Sequence, residues 1–230
     1  MPAKLFVCVA VALLVTRPVG APQTPDLAPY LMADRAAEVA LARTAAPKSI
    51  SDSATVLVLT RKGYETAVQG TNGFTCAVVR SFLGPIGDPN SWNPKVRAPH
   101  CFNPPAARTV LQEIRSRAAW VMAGVSAPEI ATRVQHAYAT HEFPMPAAGA
   151  MTYMMSHEQY LVDEDPHWRP HLMFYADSVV PDAMWGAGVA GAAVIDVSGI
   201  TPYAPFRVMA VPVPQWSDGT PVLPAGGHQH

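Results

Sequence analysis

Several things are scarce in this 230-residue chain, and each scarcity excludes something. It has three cysteines, so it is not a disulfide-dense scaffold. Only 14% of its residues are charged, and Lys plus Arg (16) nearly balance Asp plus Glu (17). That balance leaves no basic face for nucleic acid or an acidic membrane surface. No internal repeat is present, and proline plus glycine stay below the level of low-complexity chains. No GxSxG nucleophile elbow occurs, and Ser156-His157-Glu158 merely sets triad residue types side by side. True triads are assembled in space from separated positions.

Long apolar runs are also missing, apart from one short run at the start. Lys4 precedes Leu5 to Val15, and Arg17-Pro18 ends the run well short of the ~20 residues a membrane span needs. This pattern reads as a signal peptide over residues 1–21, cleaved after Ala21. The expectation is therefore an exported protein, periplasmic or secreted, with no transmembrane segment in its mature chain. Residues 22–29 read as a proline-rich flexible leader, 30–223 as a single globular domain and 224–230 as a disordered tail.

Half the residues are hydrophobic, enough for one good-sized core. Of the cysteines, Cys76 and Cys101 lie in the mature chain and are expected to pair, closing a loop of about 25 residues. The local patterns predict an α+β fold. Tyr30 to Ala46 is alanine-rich with Asp34, Arg35 and Glu38 on one side, which predicts a helix stopped by Pro47. Ala54 to Thr60 is apolar on both faces, as a central strand is. Tyr64 to Gln69 alternates, and Asn72-Gly73 signals a hairpin into Phe74 to Arg80. In that register Glu65 faces Arg80, an opposite-charge pair, and the three segments make an antiparallel meander.

Residues 84–105 read as a long loop pinned by Cys101. Asn103 caps a helix that Gly124 ends, and Ser126 with Glu129 forms a capping box for another, buried through Ile130, Val134, Ala137 and Tyr138. Further strands are expected at Ala150–Met155, His171–Ala176, Ala192–Val197 and Phe206–Val211. The overall expectation is a three-stranded antiparallel meander plus returning C-terminal strands, with helices packed on one face of the sheet. Gly186, Gly188 and Gly191 match GxGxxG but are followed by a strand pattern and read as a loop.

Chemistry-bearing side chains concentrate between Ser156 and Asp177. His157, His167 and His171, with Glu158, Asp163 and Asp165 nearby, are the residue types that hold zinc or a similar divalent metal. Glu158 would then serve as general base of a metal-dependent hydrolase. Pro166 and Pro170 oppose the helix that would bring His167 and His171 together. A copper site drawing on Met145, Met151, Met154, Met155 and Met173 beside His157 is a weaker alternative, because strand alternation parts these methionines. His171 begins a strand and shares a face with Met173 and Tyr175. The leading expectation is a non-enzymatic domain that binds a small ligand or partner in a pocket lined by Trp92, Trp168, His171 and Tyr175. A structural envelope protein is the third possibility. No residue is assigned a catalytic role.

Overall fold

The computed structural model describes residues 26–84, 89–201 and 203–222. The expected signal peptide and C-terminal tail lie outside the described residues.

Helices α1 (Arg35–Arg43) and α2 (Lys48–Ser51) precede strands β1 (Thr55–Thr60), β2 (Gly63–Val68), β3 (Thr75–Val79) and β4 (Ala98–Phe102). Three helices follow, α3 (Pro104–Arg108), α4 (Val110–Met122) and α5 (Ala127–Ala139). Then come β5 (Met151–Met154), β6 (His171–Asp177), α6 (Asp182–Trp185), β7 (Ile195–Asp196) and β8 (Phe206–Pro212). The class is α+β, and the strands form one eight-stranded mixed sheet in the order β2-β1-β3-β4-β5-β6-β8-β7.

The expected meander is overturned. β1 pairs antiparallel with β2 on one edge and parallel with β3 on the other, so β2 and β3 never meet. The reason is visible in β1, whose four central residues are buried on both faces and whose two edges therefore both need a partner. The chain leaves β2, crosses the start of β1 and descends as β3. Gly70 makes this crossing possible, because a Cβ there would fall 2.2 Å from the backbone of Ala54 and Thr55. Asn72-Gly73 is a turn within the crossover, where the Asn72 side chain donates to Ile50 O (2.7 Å) and accepts from Phe74 N. Glu65 consequently sits opposite Val58, and Arg80 is buried elsewhere.

The loop expected over 84–105 contains a whole central strand. β4 is buried at all five positions and joins β3 to β5, with Cys76 opposite Cys101 and their sulfurs 2.05 Å apart, at disulfide distance. Its Pro99 and its burial on both faces hid the alternation that identifies strands.

Helices cover both faces of the sheet rather than one. Strand alternation sends Val56, Cys76, Val78 and Cys101 to one face, where they pack on Ala42, Ala45 and Ala46 in and after α1. Leu57, Ala77, Ala98, Phe102, Met173 and Tyr175 face the other way, toward α4 and α5. The first helix is shorter than its alanine content suggests, since Asp34 accepts from Ala36 N and caps it there. Its Glu38, expected on the polar side, is 1% exposed and meets Arg80 Nη2 at 2.7 Å. The helix begun at Asn103 breaks at Thr109 into α3 and α4. Ser126 precedes α5 but makes no capping bond with its side chain, while Ile130, Val134, Ala137 and Tyr138 are buried as read. The strand expected at 192–197 is reduced to Ile195–Asp196.

A candidate ligand cavity

A cavity of about 620 Å³ lies between α4 and the sheet face built by β4, β5, β6 and β8. Its floor follows from register. Cys101 pairs with Tyr153 and Phe102 with Thr152, which sets His100 opposite Met154, and Met154 in turn pairs with His171. The row His100–Met154–His171 thus crosses three neighbouring strands on one face. Met173 and Tyr175 extend the floor along β6, and Val110 and Ile114 of α4 form the roof.

The Ser156–Asp177 stretch supplies the rim, and backbone bonds pin it. Arg97 and Tyr160 exchange both amide bonds (2.9 and 2.8 Å), Leu161 N donates to Pro166 O, and Val213 N donates to Pro170 O. The fully buried Gln159 donates from Nε2 to the carbonyl of Trp168. Trp168 is thereby held with its ring 4.5 Å from that of His171, edge to face.

Both imidazoles are anchored alike. His100 Nδ1 lies 2.8 Å from Ala98 O, and His171 Nδ1 lies 2.9 Å from Arg169 O. A carbonyl only accepts, so each Nδ1 carries the proton and each Nε2 is left as an acceptor. Burial pushes His100 down to about 4, against a smaller raising effect from the Ala98 carbonyl, with His171 adding to the depression. Burial lowers His171 as well. Beside them Tyr175 bonds Thr152 Oγ1 at 2.8 Å, and burial raises its phenol.

Among the described residues, the charged groups that reach the cavity do so in pairs. Arg117 bonds Glu113 Oε1 (3.3 Å) and donates to Gly84 O (2.7 Å), while Tyr138 donates to Glu113 Oε2 (2.7 Å). Arg80 donates to Tyr30 O (2.8 Å) and to Glu38. Pairing of this kind is what allows ionised groups to stay buried.

Of the four side chains expected to line a pocket, Trp168, His171 and Tyr175 line this cavity. Trp92 does not. It ends a 3-10 turn, Pro89–Trp92, and packs half-buried on the core while its carbonyl accepts from Tyr30. The three histidines proposed for a metal are separated. His157 is exposed, stacked on Trp216 at 4.1 Å and bonded through Nε2 to Thr220 Oγ1. His167 is exposed on the rim, and His171 is buried. Among the described residues no three His, Cys, Asp or Glu side chains form a group able to hold an ion. Of the methionines considered for copper, Met154 and Met173 reach the cavity. Among the glycines of the GxGxxG match, Gly186 takes a left-handed conformation that ends α6.

Sequence reading missed His100, Arg80, Glu113 and Arg117. His100 was hidden with the rest of β4. The i, i+4 spacing of Glu113 and Arg117 looks like any solvated helix pair, and only the depth of α4 in the fold distinguishes it. No family model matches this chain, and neither the curated proteins nor the solved structures give a match.

Proposed function

We propose that this is an exported, non-enzymatic binding protein that holds a small, largely apolar molecule between α4 and the sheet. The observation that carries the reading is the cavity itself. Its volume of about 620 Å³ suits a small organic ligand, and its lining combines many aliphatic and aromatic side chains with a few fixed polar groups. Export is supported by the apolar run at Leu5–Val15 behind Lys4 and by Cys76 and Cys101 at disulfide distance. No helix among the described residues is long and apolar enough to cross a membrane.

The test uses N-phenyl-1-naphthylamine, a neutral dye that fluoresces in apolar surroundings. Saturable binding of one dye per chain is expected, with a rise in unfolding temperature. Met173→Trp, which fills the floor, should abolish both effects while the protein remains folded. Absence of saturable binding to the unaltered protein would overturn the reading.

A further inference from the structure

We infer that the cavity selects a neutral ligand whose apolar body carries a hydrogen-bond donor, such as a phenol or hydroxyl, presented to the imidazole acceptors of His100 and His171. This rests on the ligand-binding reading above and specifies the chemical class that site takes.

Three observations lead there. First, both rings stand in one row on one face, two strands and so about 10 Å apart at the backbone. One small polar group can therefore meet either ring. Second, each Nδ1 is committed to a carbonyl of its own strand or the residue leading into it. Neither Nε2 has a hydrogen-bond partner among the described residues, although both residues are more than nine-tenths buried. Acceptors at a cavity wall without protein partners take their donor from whatever fills the cavity. Third, the charged residues among the described lining are compensated in pairs. Arg80 is neutralised by Glu38 and Arg117 by Glu113, so neither guanidinium presents an unpaired charge to a ligand, although Arg117 Nε keeps a buried N–H without a partner.

The groups facing these imidazoles are few. Tyr175 is tied to Thr152, Trp168 lies against the His171 ring, and the paired Arg80, Glu113 and Arg117 complete the titratable lining among the described residues. Burial disfavours protonation of both imidazoles, so each stays an acceptor to a lower pH than an ordinary imidazole does.

Displacement of N-phenyl-1-naphthylamine from the full chain by 4-hexylphenol, hexylbenzene and 4-hexylbenzoate tests the inference. The phenol is expected to bind about tenfold more tightly than hexylbenzene, the worth of one good hydrogen bond, with the benzoate weakest. His100→Leu and His171→Leu should each reduce the ratio of phenol to hexylbenzene affinity, and His171→Gln, whose amide oxygen still accepts, should restore it. Hexylbenzene binding reports in the same experiment that each variant keeps its cavity. Should a leucine variant fail to fold, the three-probe ranking on the unaltered protein decides alone. Equal affinity for phenol and hexylbenzene, or tightest binding of the benzoate, would overturn the inference while leaving the cavity reading standing. If none of the three displaces the dye, the inference falls, while the cavity reading stands or falls with saturable binding of the dye itself.

Discussion

The two faces of the sheet are built from side chains of different size, and that difference decides where space is left. Beneath α1 the contacts are Ala42, Ala45, Ala46, Ala54, Val56, Val78 and the cysteine pair. Small groups let a helix settle close onto a sheet and leave little room between them. On the opposite face the layer is held by aromatics. Tyr138 meets Phe143 and Phe206 edge to face at 5.5 and 6.0 Å, and Phe206 meets Tyr175 at 6.0 Å. These rings prop α5 and the end of α4 against one part of the sheet, and the cavity opens beside them over the His100–Met154–His171 row. One face is a sealed support and the other is a container.

The largest effect is expected at the ion pair by which Glu38 of α1, on the sealed face, holds Arg80, which also borders the cavity. Glu38 and Arg80 are both essentially buried, and Glu38 Oε1 also accepts from Leu59 N (3.1 Å). Glu38→Ala strands a buried guanidinium and is expected to cost about 3–5 kcal/mol in chemical denaturation. The exposed pair Glu129–Arg133 supplies the contrast, since Glu129→Ala should change stability by less than ~1 kcal/mol. Similar losses from both variants would contradict the burial on which the comparison rests. Next in size is the cysteine pair. Replacing Cys76 and Cys101 by alanine opens a link across 25 residues and should cost about 3 kcal/mol. Affinity for the apolar dye should stay within about twofold, because both sulfurs lie on the far side of the sheet from the cavity.

The container side has a pH signature of its own. His100 titrates near 4 in the folded chain, below the ordinary imidazole value of 6.5. Between those values the unfolded chain binds the proton and the folded chain does not. Stability is therefore full above about pH 6.5 and falls as the pH drops toward 4, by about 3 kcal/mol for this one group. His171, also depressed, acts with the same sign. Denaturation curves of His100→Leu should show a shallower acid decline than the unaltered protein. An unchanged slope would mean that the ring is not held neutral.

How much of this was legible beforehand depended on whether the information was local. Helix ends set by Asn103 and Gly124, the buried positions of α5, and the facing of His171 and Tyr175 all follow from spacing within a few residues, and the sequence reading found them. The partners of β1 were not local. Asn72-Gly73 offered a hairpin, but pairing both edges of a strand buried on both faces outweighed a turn preference. The partnership of Arg80 with Glu38 spans 42 residues, and no spacing rule reaches that far. The cavity divides in the same way. Trp168, His171 and Tyr175 come from one continuous stretch and were legible. His100 was not, since β4 carries Pro99 among residues buried on both faces.

The smallest effect is the most direct probe of the difference between the faces. Ala42 and Ala98 are both buried alanines, one in α1 against the tight face and one on β4 facing the cavity. Leucine is nearly as good a helix former as alanine, so Ala42→Leu tests packing rather than propensity. Its extra methylenes have nowhere to go, and a loss of about 1–3 kcal/mol is expected. Ala98→Leu should cost less than ~1 kcal/mol, because the added atoms enter open space and gain contacts there. The same substitution should weaken dye binding by occupying its volume, whereas Ala42→Leu should leave affinity nearly unchanged in the folded fraction. Equal destabilisation by the two variants would mean that the cavity face is packed as closely as the other, and the distinction between support and container would fail.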